Sequence, residues 1–282
     1  MIIMRMLRVL VMAGIMCVFA LPAQAKSAKW KHMGTSTQPN YSLFHSTQAL
    51  ALPTAETLRQ GIIQFEIQHR FVPAVSSGLG GLYGVDGPAY IRFGLAYGFT
   101  HDLTLTLGRS NLDDNYDLQA KQVIYQNRLG EWPLVMAVQL GSAWNASVAG
   151  RSSLDQRNFQ NYGQLIVNMM PLEQWAFGLV PTFVDNASYN TAQTQSTLAL
   201  GTYIQYYVTD LWSLVAEWNH LISGYINSYP SASYGFELET GGHFFKFFVS
   251  NTAKINQAQY VTGGDLNGDW RLGFLITRLL KF

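Results

Sequence analysis

The chain has 282 residues, of which 12% are charged, 13% are aromatic and 25 are glycines. That charged fraction is about half the ~25% of soluble domains. Its 18 basic and 17 acidic residues leave no basic surplus to draw nucleic acid or an anionic membrane surface.

The N-terminus reads "MIIMRMLRVLVMAGIMCVFALPAQA". Arg5 and Arg8 form a short positive region, Val9 to Ala20 is apolar, and Ala23-Gln24-Ala25 is a small-residue cleavage pattern. The run is shorter than the roughly 20 residues of a spanning helix. A signal peptide over residues 1–25, cleaved after Ala25, is expected. Cys17, the one cysteine, leaves with it, so the exported chain has no disulfide and no thiol chemistry. Removing Arg5 and Arg8 leaves 16 basic against 17 acidic residues, a net −1.

Residues 26–60 are polar at first, "KSAKWKHMGTSTQPNYS", then read "ALALPTAETLRQG", where Pro53 removes a ladder donor. They are expected as an extended segment at a periplasmic mouth or in a barrel lumen.

From Gly61 apolar side chains recur on every second residue, the period of a β-strand. "IIQFEIQHRF" sets Ile63, Phe65, Ile67 and Phe71 against Gln64, Glu66, Gln68 and Arg70. "YIRFGLAYGF" sets Ile91, Phe93, Leu95, Tyr97 and Phe99 against Arg92, Gly94, Ala96 and Gly98. Comparable stretches follow through the closing "RLGFLITRLLKF", about twelve in all; that near Tyr116–Gln126 has the least clear parity. No apolar run after the signal reaches helix-spanning length. Connectors alternate between tight ones ("THD", "PLEQ", "TD", "TGG") and longer polar ones such as Pro73–Pro88 and Asn251–Gly268. An even strand count with short turns on one side and long loops on the other predicts an all-β, closed antiparallel transmembrane barrel over residues 61–282, in the outer membrane of a Gram-negative bacterium. A soluble sandwich would bury its largest side chains at mid-strand. Here Trp132, Trp144, Trp175, Trp212, Trp218 and Trp270 lie on the apolar parity, four of the six near strand ends, as interface belts require, while Trp218 is too close to Trp212 for the two to fill both belts. At ~3.3 Å per residue and a ~40° tilt, Trp132 and Trp144 are roughly 30 Å apart along the membrane normal. Phe282 is expected in the periplasmic belt.

The stretches "LPTAETLRQGIIQFEIQHRF", "GLYGVDGPAYIRFGLAYGFTHDLTLTLGRSN", "FFVSNTA" and "WRLGFLITRLLKF" resemble a family of bacterial outer-membrane β-barrels known as a domain of unknown function, from about Ser46 to the C-terminus. The resemblance supports the barrel and brings no substrate or catalytic residues. A terminal aromatic also resembles the signal that such proteins present to the barrel-assembly machinery, an expected partner beside outer-membrane lipid.

Catalytic chemistry finds little footing. There is no GxSxG elbow and no HExxH helix, so no catalytic residue, metal or cofactor is expected. "DLNGD" lacks the closing glutamate of a calcium loop and reads as a turn. The polar parity is more informative: Glu66, Arg70, Arg92, Lys121, Glu217, Glu237, Glu239, Lys246 and Arg271 should line the lumen. Inward small residues, among them Gly94, Gly98, Gly141, Gly178, Gly201, Gly235 and Gly273, suggest free space. The expected function is a narrow porin-like channel for small polar solutes. The alternatives are a plugged structural barrel that binds a partner through its loops or N-terminal segment, and an outer-membrane barrel hydrolase.

Overall fold

A computed structural model describes residues 42–281, apart from 129–130, 191–193, 225–228 and 265–268. The expected signal peptide, the belt position of Phe282 and most of the "DLNGD" turn lie outside the described residues.

The alternating stretches form twelve strands. They are β1 (Ile62–Phe71), β2 (Ala89–Gly98), β3 (Leu103–Ser110), β4 (Asn115–Asn127), β5 (Leu134–Asn145) and β6 (Phe159–Leu172), then β7 (Trp175–Asp185), β8 (Thr197–Tyr207), β9 (Trp212–Gly224), β10 (Ser231–Glu239), β11 (His243–Ser250) and β12 (Arg271–Lys281). Each pairs antiparallel with its neighbours, and β1 closes on β12 with Ile67 opposite Ile276. Closure satisfies the ladder groups of both end strands, which a membrane requires.

The pleat decides what each face meets. Along β2, Phe93, Leu95 and Tyr97 are exposed while Arg92, Gly94, Ala96 and Gly98 are buried. The same alternation puts Leu107, Leu118, Leu140, Phe183, Trp218 and Phe247 on the outside. An apolar band of this extent, running round a sheet, needs hydrocarbon rather than water around it. The parity of β4 was hard to read because the strand is bulged. Its register against β5 shifts between Val123 and Tyr125, so Ile124 and Tyr125 are both exposed. A bulge places an unpaired residue in the strand and breaks the period of two.

The connectors at one end are short, as at Thr240–Gly242, where Gly241 and Gly242 supply φ of 71° and 102°. At the other end they are longer, with one exception. The β3–β4 connector is a tight turn rather than a loop, with Asp113 and Asp114 both left-handed; aspartate tolerates that conformation.

Residues 251–264 are a correction of another kind. The connector after β11 was expected as an outer loop, yet it folds into the barrel, where the short helix α1 (Gln257–Tyr260) is buried throughout. Its apolar Ile255, Ala258, Tyr260 and Val261 would be exposed in any outward arrangement.

Candidate functional site

The lumen has a polar half and a half in which aliphatic side chains mix with buried amides such as Gln139, Gln164, Asn168 and Gln205. On β1 to β4, Arg92 forms a forked pair with Asp117 (Nε–Oδ1 2.9 Å, Nη2–Oδ2 2.7 Å) and a third bond to Glu66 (2.7 Å). Gln68 donates to the same Glu66 oxygen, and Gln119 donates to Asp117. On β5 to β9 the inward residues include Val135, Ala137, Ile166, Ala176, Val180, Ala199 and Val215, all buried. A water-filled pore would leave the aliphatic part of that wall wet.

Residues 42–58 cover it. Leu43, Phe44, Leu50, Leu52 and Leu58 are buried, with Leu50 and Leu52 at 0% exposure. The Leu52 side chain lies against Gly201, which has no Cβ to hold it off, and the Phe44 ring meets Tyr203 edge-on at 5.2 Å. The segment turns back on itself between Gln48 and Pro53. Many of its other backbone groups are held by wall side chains. Glu217 accepts from the N–H groups of Leu50, Ala51 and Leu52 at 3.0–3.2 Å. Lys121 donates to the carbonyls of Thr47 and Thr54, both at 2.8 Å. Lys246 donates to the carbonyls of Gln48 and Ala49 and to the Ser46 hydroxyl. Asn168 accepts from Ala55 N–H at 2.7 Å, and the Tyr203 and Tyr207 hydroxyls donate to the carbonyls of Pro53 and Leu43. From the far end the inward loop completes the filling, with the Gln257 side chain donating to the Ala51 carbonyl.

Between this segment and the polar half lies a cavity of about 30 Å³, lined by Gln64, Glu66, Gln68, Arg92, Lys121 and Gln257 among others. That holds roughly two waters. A larger concavity, about 480 Å³, faces outward, between Phe177, Leu179, Ile204, Trp218 and Tyr234.

Seven of the nine side chains expected to line the lumen are buried in it: Glu66, Arg70, Arg92, Lys121, Glu217, Glu237 and Lys246. The other two sit at the rims. Glu239 accepts from Gly242 N–H in the β10–β11 turn, and Arg271 donates to the carbonyls of Val72 and Asp269. The small inward residues do not leave a pore. Tyr162 lies over Gly141, Tyr203 over Gly178, Arg92 over Gly108 and Phe248 over Gly235. Bare backbone lets a long side chain lie flat along the wall. Residues that sequence reasoning missed are His45, Ser46, Glu56 and Asp117. His45 Nδ1 is 2.7 Å from Glu237, and Glu56 accepts from Leu43 N–H and Arg128. The first three belong to a segment with no period. Asp117 lies on the bulged strand.

The outward tryptophans gather with other rings near the strand ends. At the loop end Trp144 stacks on Tyr116 and Phe159, and Trp270 meets Tyr234; at the turn end Trp175 meets Tyr206 and Trp212 meets Phe236. Trp132 is 65% exposed just before β5. Over the loop mouth, Tyr189 donates to Asp113 and accepts from Gln259. Burial, with the Asp113 carboxylate beside it, pushes the Tyr189 phenol well above its usual range, so it keeps its proton.

The chain is similar in fold to an outer-membrane channel from Pseudomonas putida F1 (COG4313). The TM-score is 0.51 at 15% identity, over 80% of this chain and 98% of that one. Looser likenesses are to the NanC porin (TM-score 0.48, 6% identity, 78% of this chain and 99% of that one) and to outer membrane phospholipase A of Escherichia coli (0.44, 15%, 80% and 92%). No curated protein sequence matches the chain. The model of the membrane-bound β-barrel domain DUF5777 matches residues 44–280, nearly the whole described barrel with its lumenal segment, and the chain therefore belongs to that family of membrane-bound β-barrels of unknown function.

Proposed function

We propose that the protein is an outer-membrane channel for small polar solutes, closed at rest by residues 42–58 and the inward loop 251–264. The observation that carries this reading is how the segment is held. Lys121, Glu217 and Lys246 grip its backbone carbonyls and N–H groups, and each such bond can be exchanged for one to water. Once the segment moves, the same side chains line a hydrated passage with charges of both signs. The fold shared with a bacterial channel supports the reading at the level of architecture.

The test is to delete residues 42–58 and compare the variant with the full chain in planar bilayers. The full chain is expected to be silent or to open briefly, and the deletion to give sustained steps. A deletion variant that folds, judged by heat-modifiable gel mobility, yet conducts nothing across a range of salts would sink the proposal. It would leave the permanently plugged barrel, which the complete burial of Leu50 and Leu52 favours. In that case the N-terminal segment or the loops would act on a protein partner.

We also propose that no covalent chemistry takes place. Ser46 follows the His45 that pairs with Glu237, but it is buried, and its hydroxyl is engaged by Gln48, Glu237 and Lys246. The barrel-assembly machinery is the proposed biogenesis partner.

A further inference from the structure

The polar half of the lumen holds one cation that its surroundings do not explain. Arg70 is 0% exposed, and none of its three guanidinium nitrogens has a hydrogen-bond partner among the described residues. The other buried lumenal cations are all matched to oxygen. Arg92 has Glu66 and Asp117, Lys121 has two backbone carbonyls, and Lys246 has Glu237. Glu217, whose field reaches Arg70, spends its oxygens on the N–H groups of residues 50–52. A buried charge without hydrogen bonds is costly and is rarely kept without a use.

The surroundings of Arg70 are built for it. Its stem lies over Gly273, the residue opposite it in β12; a Cβ there would sit 3.0 Å from the Arg70 Cδ. Phe248 packs its ring 4.3 Å from the guanidinium carbon, and Tyr260 of α1 closes the other approach at 5.9 Å. Both rings lie within cation–π reach of the guanidinium, and its N–H groups stay without hydrogen-bond partners among the described residues. On β3 the inward Ser110 hydroxyl, opposite Arg92 at the same end of the barrel, is buried and has no partner among the described residues.

We propose that Arg70 is the recognition point for a small organic carboxylate passing through the lumen. This assignment names the solute class of the channel proposed above and rests on that reading. A carboxylate matches the guanidinium fork with two parallel bonds, and an apolar body is accommodated by the Phe248 ring on the wall. The site is reached when the loop 251–264 lifts and Tyr260 leaves with it.

The experiment uses the purified full chain in detergent and equilibrium dialysis with labelled benzoate. Wild type is expected to bind about one benzoate per chain saturably. Arg70→Met, which removes a buried unpaired charge, is expected to weaken binding at least tenfold. Arg70→Lys, which keeps the charge and loses the fork, should fall between them. Heat-modifiable gel mobility establishes that each variant is folded. No saturable binding by wild type, or unchanged binding by folded Arg70→Met, overturns the assignment. So does displacement by inorganic phosphate as effective as that by unlabelled benzoate. Dialysis needs no current, so a barrel that binds benzoate and never conducts would refute the channel alone.

Discussion

The Lys246 ammonium lies 2.8 Å from the Glu237 carboxylate, directly opposite it in the β10–β11 register, and both side chains are sealed from solvent. The pair ties the barrel wall to its contents. Glu237 also meets His45, while Lys246 donates to Ser46, Gln48 and Ala49. Lys246→Met strands the carboxylate and should destabilise the folded barrel by about 3–5 kcal/mol. Adding Glu237→Gln should recover much of that loss. Urea unfolding of the two variants decides; a double variant no more stable than the single one contradicts the argument.

Glu217 serves the lumenal segment differently, because it grips three successive backbone N–H groups. Glu217→Gln keeps the shape and removes the charge, and each charge-assisted bond weakened is worth about 1.5–3 kcal/mol at most. The segment is expected to loosen while the barrel stays closed. Proteinase K should then cleave within residues 42–58 faster than in wild type, with the strands intact by mass spectrometry. Equal cleavage rates would show that Glu217 does not hold the segment.

Tyr203 lies flat over Gly178, where a Cβ would come within 2.0 Å of its ring, and its hydroxyl contacts Pro53 and Asn168. Gly178→Val suits a strand by propensity but drives the ring off the wall. The expected cost is about 1–3 kcal/mol, and the bonds to Pro53 and Asn168 go with it. Tyr203→Phe keeps the ring and loses only the hydroxyl bonds. If the two variants gave the same protease sensitivity at the segment but Gly178→Val were fully stable, the seat would not be the reason for the glycine.

Leu95 sits near the middle of β2, on the lipid side and 52% exposed. Leu95→Arg should lower folding stability in lipid vesicles by about 2–4 kcal/mol, the depth-dependent cost of a charge at mid-membrane. The comparison is between denaturant titrations of the two proteins in the same vesicles. A neutral result would remove Leu95 from the hydrocarbon zone.

The wall of this barrel was legible because its signal is periodic. Phe65 and Glu66 must take opposite faces once both belong to β1, and the tight turns punctuate the strands. Of the barrel's contents, only a place at the periplasmic mouth or in the lumen was legible for residues 26–60; the fit of 42–58 and the inward fold of 251–264 were not, because neither stretch carries a period. Their burial follows from tertiary fit: Leu52 beside Gly201, Gln257 on Ala51. The glycines misled for a related reason. Sequence shows that Gly141 and Gly178 lack side chains, but not that Tyr162 and Tyr203 lie in the space. The orphaned Arg70 could be placed on the inner face by parity alone, while its lack of a partner needed the positions of every oxygen around it.

Leu58 donates its N–H to Thr104, and only three residues separate it from Ile62, the first residue of β1. β1 is one lip of the seam that joins the ends of the sheet. The stopper and the zip are thus one uninterrupted piece of polypeptide, joined by a linker that spans at most roughly 14 Å when fully extended. An assembling sheet that brings β1 to β12 carries the stopper to its seat in the same movement, and pulling the stopper far toward the periplasm strains the lip it hangs from.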